Sequence, residues 1–165
     1  MTLSEANAMG LAQFVQTLGW VFEHSPWVAE RTWPSRPFAS VNDLHGAMVA
    51  AVERASRQEQ LALLCAHPDL GTRVRISPAS QGEQKGAGLD CLTPAEFEEL
   101  QEGNRQYREK FGFPFLYAVK GSAKEDILMA LGLRLQAEPE EELHQALFEV
   151  GRIAWFRLWD TFRES

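Results

Sequence analysis

The apolar residues of this chain recur at the spacing of amphipathic helices along most of its length. The first such pattern begins after Ser4 and continues to Gly19, and the last runs from near Pro139 to Phe162. No stretch shows the alternation of a half-buried strand, and no segment is repeated. The pattern predicts an all-α fold, as a single compact domain over 1–165 with about seven or eight helices.

Four Ser/Thr-x-x-Glu patterns mark expected helix starts. In such a capping box, the Ser/Thr side chain and the Glu side chain each accept a hydrogen bond from the main-chain N–H of the other residue. The four patterns begin at Ser56, Ser80, Thr93 and Ser122. The helix predicted from Ser80 is short, since Gly86-Ala87-Gly88 interrupts it. Small residues there would also allow another backbone or a ligand to approach closely.

One apolar segment near 113–119 contains Pro114 and lacks helical spacing. We expect it to be extended and to follow a helix that ends at Gly112. Main-chain N–H and C=O groups outside helical hydrogen bonding can pair with a flat polar heterocycle. Asn104 and Tyr107 share a face of the preceding helix, which mostly indicates core packing.

Composition and charge narrow the class of protein. With 165 residues, 45% of them hydrophobic, the chain is long enough for one full core. Its net charge of -7 argues against nucleic acid or an anionic membrane as a partner, because both require a basic surface. Neither a bilayer-length apolar run nor a signal-peptide pattern is present, and Cys65 and Cys91 lack a disulfide framework. We therefore expect a cytoplasmic protein.

His67 is the strongest single candidate for chemistry. An imidazole both accepts and donates a proton near neutral pH, and Pro68 predicts that a helix ends beside it. The alternative is a histidine that only interacts with the helix dipole. The nearby segment from Ser80 to Gln84 favours the chemical interpretation, although Ser80-x-x-Glu83 by itself indicates no more than a capped helix.

Arg157 is a candidate clamp for a carboxylate, because a guanidinium can bind both carboxylate oxygens. It could equally be a side chain that extends along an apolar surface toward water. Arg73, Arg75 and Arg152 are rival clamps, and spacing does not choose among them.

The sequence predicts no cofactor and no metal site. Its four histidines show neither His-Glu-x-x-His nor Cys/His spacing, and no phosphate-binding or dinucleotide glycine motif is present. No Gly-x-Ser-x-Gly motif of a serine hydrolase occurs either. Any catalysis is expected to be acid/base chemistry.

Four motifs occur in this order: His67-Pro68-Asp69-Leu70-Gly71, Ser80-x-x-Glu83-Gln84-x-Gly86-Ala87-Gly88-Leu89, Asn104-x-x-Tyr107-x-x-Lys110-Phe111-Gly112-Phe113-Pro114-Phe115 and Arg157-Leu158. Together they resemble the OHCU decarboxylases, which act on 2-oxo-4-hydroxy-4-carboxy-5-ureidoimidazoline (OHCU) in the conversion of urate to allantoin. The resemblance covers nearly the whole chain.

This resemblance implies an all-helical homodimer without metal or organic cofactor that converts OHCU to (S)-allantoin. It implies that His67 is the catalytic acid/base, and that Glu83 contributes to catalysis. The residues expected to bind substrate are Pro68, Ser80, Gln81, Gly82, Glu83, Gln84, Phe113, Pro114, Phe115, Leu116, Tyr117 and Arg157.

Two other functions remain open at this stage. One is an all-helical lyase or hydrolase that acts on another ureido or purine-derived ring. The other is a non-catalytic helical interaction module, which predicts a large exposed apolar patch and no pocket beside His67.

Overall fold

The computed structural model describes residues 1–71 and 77–163, and within these ranges the chain consists of helices and loops. A short 3₁₀ helix, Trp33–Ser35, accompanies nine α-helices in these ranges. They are α1 (Leu3–Ala8), α2 (Leu11–Leu18), α3 (Trp27–Thr32), α4 (Val41–Glu53), α5 (Arg57–Cys65), α6 (Pro78–Gly86), α7 (Pro94–Phe111), α8 (Lys124–Arg134) and α9 (Pro139–Arg163). The predicted all-α fold is confirmed.

The first predicted helix is two helices in the structure, which accounts for the number above the expected seven or eight. Thr2, not Ser4, caps α1, through a reciprocal pair of hydrogen bonds with Glu5. The chain leaves the helical conformation at Met9 and re-enters it after Gly10, which is the N-cap of α2.

The prediction that Ser80 caps α6 was wrong. Ser77 is the N-cap and its hydroxyl accepts a hydrogen bond from Ser80 N–H (3.2 Å), while Pro78 is the first helical residue. Serine followed by proline is a strong helix start, because proline has no N–H to leave unpaired and its φ suits the first turn. Ser80 therefore lies in the first turn and is buried.

The chain divides into two compact units. The first contains residues 1–66 and 151–165, and the second contains residues 67–150. The buried apolar residues of the first unit include Phe14, Leu44 and Leu158, and α3 contacts both α2 and α4. A single domain over the whole chain stays a prediction.

The second unit contains most of the predicted site and is organised around α7. This helix contacts α8 and buries Leu100, Asn104 and Tyr107 along one face. It ends at Gly112, whose φ of 81° is readily adopted only by glycine, so the chain turns there as the sequence predicted. The predicted non-helical segment follows directly.

No helix in the described part of the chain combines the length and the apolar character that crossing a membrane requires.

The start of α7 is fixed by a capping box and an ion pair. Thr93 Oγ1 accepts from Glu96 N–H, and Glu96 Oε1 accepts from Thr93 N–H. Lys124 Nζ also donates to Glu96 Oε1 at 2.7 Å. The bond to Lys124, followed by the bond from Thr93, lowers the pKa of Glu96 from 4.5 to about 2.

We expect Glu96→Gln to lower the stability of the protein at pH 7, because the amide loses the ion pair with Lys124. Since the pKa of Glu96 is lowered in the folded chain, its contribution is complete above pH 4.5 and is lost as the pH falls toward 2. Urea unfolding of both proteins should therefore show a difference at pH 7 that shrinks by pH 3. Glu99→Gln, at an exposed position of the same helix, is the control. An equal difference at both pH values would contradict the assignment.

Candidate active site

His67 lies just beyond the end of α5 and is buried. The helix ends at Cys65, and His67 retains only 6% of its accessible surface. Its imidazole is therefore not directed into bulk solvent. The catalytic prediction requires this shielding. Pro68 follows and is partly buried.

The loop after His67 is held by side chains from α6 and α7. Gly71 N–H donates to Gln84 Oε1 (2.9 Å), and Leu70 C=O accepts from Asn104 Nδ2 (3.0 Å). A third contact joins Arg108 and Asp69 at 2.8 Å, between exposed side chains. These bonds position the main chain that follows the candidate acid/base.

Gly71 cannot be replaced by a larger residue without strain. Its φ is 73°, and a Cβ built at this position would lie 2.5 Å from Leu100 Cδ2. The loop therefore lies directly against α7. Arg73 and Arg75, two of the rival clamps, lie outside the described residues.

A cavity of about 540 Å³ opens beside this loop within the second unit. A volume of this order suits a small-molecule ligand. Its described lining residues are Gly71, Pro78, Gln81, Gly82, Gln84, Lys85, Leu89, Asp90, Leu92 and Phe97. The cavity therefore lies between α6, the loop after His67, and the chain from Leu89 to Phe97.

Three of the predicted substrate-binding residues line this cavity, namely Gln81, Gly82 and Gln84. Gln84 is oriented by its bond from Gly71 N–H, because a main-chain donor requires the carbonyl end of the amide. The amide nitrogen of Gln84 is therefore the end available to a ligand as a donor. His67, Ser80 and the other predicted residues are not among the described lining residues.

Ser80 and Glu83 lie on α6 between residues that line the cavity, but neither is among the described lining residues. Ser80 is buried and Glu83 is partly buried, and each has interactions within the chain. Their predicted roles in catalysis and substrate binding stay predictions.

The predicted extended segment is buried and largely free of main-chain hydrogen bonds. Phe113, Pro114, Phe115 and Leu116 are buried, and Tyr117 is partly buried. Leu116 C=O accepts from Arg134 Nη1, and Ala118 N–H donates to Glu149 Oε2 at 2.9 Å. Within the described ranges, no hydrogen bond reaches the N–H of Phe115, Leu116 or Tyr117.

Such unpaired main-chain groups are rare in buried positions because each costs free energy comparable to a lost hydrogen bond. A bound ligand can supply the missing partners. This observation favours the prediction that the main chain of 113–117 binds substrate.

A charged network supports the same segment. Glu142 accepts from Arg134 Nε and from Tyr107 Oη, both at 2.5 Å, and Arg134 also forms an ion pair with it. The guanidinium lies over the Phe115 ring, with Cζ 4.7 Å from the centroid. Burial, and then the hydrogen bond to Glu142, raise the pKa of the Tyr107 phenol far above its usual range, so it remains a neutral donor.

Arg157 belongs to the first unit and binds groups of that unit. Its Nη2 donates to Glu23 Oε2 (2.8 Å), and its Nη1 donates to the carbonyls of Trp20 and Val21 at 3.3 and 3.4 Å. Both charged side chains are almost completely buried. A substrate carboxylate bound by Arg157 would have to share the guanidinium with Glu23, so the clamp stays a prediction.

Sequence reasoning missed Arg134 and the loop contact of Asn104. Arg134 is the last residue of α8, where a basic residue ordinarily satisfies the helix dipole, so nothing in its spacing distinguished it. The position of Asn104 on the apolar face of α7 predicts core packing. A buried amide on an apolar stripe requires a polar partner, and that requirement was the available signal.

No group of three or more His, Cys, Asp or Glu side chains suited to a metal ion occurs within the described ranges. Cys65 and Cys91 are exposed free thiols.

We expect Asn104→Asp to destabilise the protein by about 1–3 kcal/mol, because a buried carboxylate oxygen would replace the donor that bonds Leu70 C=O. Gln101→Glu makes the same chemical change at an exposed position of α7 and should stay within about 0.5 kcal/mol of the parent protein. Chemical unfolding at neutral pH measures both. Equal effects would show that the Leu70 contact contributes little.

Comparison with known proteins identifies the family. The sequence model described as OHCU decarboxylase matches residues 7–159. The 2-oxo-4-hydroxy-4-carboxy-5-ureidoimidazoline decarboxylase of Haloferax volcanii is 47% identical over 162 residues, which cover 98% of this chain and 96% of that protein. The uric acid degradation bifunctional protein of Bacillus sp. strain TB-90 is 48% identical over 165 residues, or 100% of this chain and 33% of that protein.

The chain thus spans about one third of the length of the Bacillus relative. A crystal structure of OHCU decarboxylase in the presence of (S)-allantoin superposes with a TM-score of 0.71 at 25% identity, covering 83% of this chain and 91% of that one. The fold, the ordered motifs and the matched residues agree, and this chain belongs to the OHCU decarboxylase family.

Proposed function

We propose that this protein catalyses the decarboxylation of OHCU to (S)-allantoin in urate breakdown, without metal or organic cofactor. The observation that carries the proposal is the buried His67, followed by a loop that Gln84 and Asn104 fix beside a ligand-sized cavity. The Haloferax volcanii relative named for this reaction, which is matched over 96% of its length, supports the same substrate.

The substrate itself can accept the electrons that the departing carbon dioxide releases. The carbon that carries the carboxylate also carries a hydroxyl group, and its neighbour is the C=N carbon that bears the ureido group. Cleavage of the C–C bond forms a C=C bond between these carbons, and the electron pair of the C=N bond takes up a proton at nitrogen. The product of this step is an enol, which explains why no cofactor is needed as an electron sink.

The enol then becomes a ketone by moving a proton. The hydroxyl proton leaves, the carbonyl forms, and a proton adds to one face of the ureido-bearing carbon. In our proposal His67 performs the transfer as general acid/base, taking the hydroxyl proton, delivering one to carbon, or both in turn. A fixed imidazole on one side of a flat intermediate gives a single enantiomer.

Other side chains of the second unit have binding roles in this proposal. The amide nitrogen of Gln84 donates to a carbonyl oxygen of the ring or ureido group, since its Oε1 is already bonded by Gly71 N–H. Main-chain groups of 113–117 bind the flat ring. Glu83 orients His67 or holds the ureido N–H groups, and Pro68, Ser80, Gln81 and Gly82 complete the site.

We also propose a cytoplasmic homodimer that binds neither nucleic acid nor membrane. The net charge of -7 supports the absence of those partners. Two exposed free cysteines support a reducing compartment. The family resemblance supports the dimer.

Incubation with freshly prepared OHCU tests the reaction directly. We expect optically active (S)-allantoin to appear faster with the protein than in buffer, as followed by circular dichroism. Racemic product at the buffer rate would contradict the proposal and favour a non-catalytic module. Turnover of another ureido or purine-derived ring, but not of OHCU, would favour a different lyase or hydrolase.

We expect His67→Asn to reduce kcat by about 10²–10⁴-fold, the usual contribution of general acid/base catalysis, while the protein stays folded. Asparagine approximates the size of the imidazole but cannot transfer protons near pH 7. His144→Asn makes the same change on the exposed face of α9 and should leave kcat unchanged. Near-normal turnover by the His67 variant, with a melting temperature close to that of the parent, would refute the role of His67.

A further inference from the structure

The peptide group between Leu116 and Tyr117 is held from one side by a guanidinium. Arg134 Nη1 donates to Leu116 C=O, and the same guanidinium lies over the Phe115 ring. Arg134 therefore contacts two consecutive residues of the extended segment, namely the ring of Phe115 and the main-chain carbonyl of Leu116. Its side chain retains only 12% of its accessible surface.

Two further helices fix the guanidinium. Glu142, in the first turn of α9, binds Arg134 and also accepts from Tyr107 Oη on α7. Glu142 retains 1% of its accessible surface, so water does not compete for these bonds. A buried network joined by these hydrogen bonds and by the ion pair between Arg134 and Glu142 has little freedom to rearrange.

Because the peptide group is planar, the bond from Arg134 to Leu116 C=O also sets the direction of the next main-chain donor, Tyr117 N–H. In a trans peptide the C=O and the following N–H point in opposite directions. With Leu116 C=O directed at Arg134, Tyr117 N–H is directed away from it. This N–H has no partner within the described ranges.

The next peptide group is fixed in the same way from Glu149. Glu149 Oε2 accepts from Ala118 N–H at 2.9 Å, which directs Tyr117 C=O away from Glu149. Tyr117 therefore presents one main-chain donor and one main-chain acceptor whose directions are set by Arg134 and Glu149. A ureido or ring amide group offers the complementary acceptor and donor.

We propose that Arg134 is a positioning residue, which orients the Tyr117 main chain to bind an amide edge of the substrate. This role rests on the proposed function. In this proposal Arg134 acts through the main chain of Tyr117, because its Nε and Nη1 donate to Glu142 and Leu116 C=O and its guanidinium lies over the Phe115 ring. Glu142 and Tyr107 hold Arg134, and Glu149 completes the orientation of Tyr117.

The decisive variant removes both buried charges together, because Arg134→Gln alone would leave Glu142 buried without its cation and could prevent folding. Arg134→Met with Glu142→Gln keeps an amide carbonyl to accept from Tyr107 Oη, but removes the donor to Leu116 C=O. We expect a folded protein whose KM for OHCU rises at least ten-fold, with a smaller change in kcat. Arg134→Lys retains one donor and should recover part of the loss.

Arg105→Gln is the matched control, since this arginine of α7 pairs only with exposed side chains of its own helix within the described ranges. Its KM and kcat should equal those of the parent protein. A double variant with the parent's KM, or one with only a lowered melting temperature, would overturn the positioning role.

A measurement without turnover separates this proposal from the proposed reaction. In ¹⁵N–¹H spectra the Tyr117 amide should shift in the double variant, and titration with (S)-allantoin should move this resonance in the parent protein. An unchanged Tyr117 resonance in the double variant would overturn the role of Arg134. A parent protein inactive toward OHCU would instead overturn the proposed reaction, and the shift of the Tyr117 amide would still decide the role of Arg134.

Discussion

The site depends on hydrogen bonds from side-chain amides to the main chain of one loop. Asn104 and Gln84 come from different helices, and they bond adjacent residues, Leu70 and Gly71. A loop of this kind has no secondary structure to set its path, so each bond replaces conformational freedom with a defined position. The catalytic proposal requires a fixed loop, because proton transfer to one face of the substrate carbon needs an imidazole in a fixed position.

A single helix, α7, supports both halves of the proposed site. Asn104 and Tyr107 are three residues apart and therefore lie on one face, where each meets a different part of the chain. Asn104 bonds the loop after His67, whereas Tyr107 packs against Phe113 and Phe115 with ring centroids 5.8 and 5.5 Å apart. One rigid helix thus sets the distance between the two halves. A site built in this way is positioned more precisely than a site built on independent loops.

The sequence predicted most of the features that depend on local chemistry and missed those that depend on tertiary partners. The capping boxes at Ser56 and Thr93 and the glycine end of α7 follow from neighbours in the chain, and all three are confirmed. Two predicted caps were wrong: Ser77 caps α6 instead of Ser80, and the N-cap of α8 is Ala123 instead of Ser122. The partners of Arg134 and Asn104 lie in other elements of the chain, so the periodicity of α8 and α7 could not reveal them.

The two largely buried arginines, Arg134 and Arg157, already have carboxylate partners, and this affects how the proposed site can bind a charged substrate. Arg134 and Arg157 are each bound to a carboxylate of the chain, Glu142 and Glu23. A substrate carboxylate loses its negative charge as carbon dioxide departs, so a strong ion pair to it stabilises the ground state more than the transition state and slows the reaction. A site that binds the ring through neutral amides and main-chain groups avoids this cost. Neutral contacts hold the substrate in place without opposing the loss of charge on which decarboxylation depends.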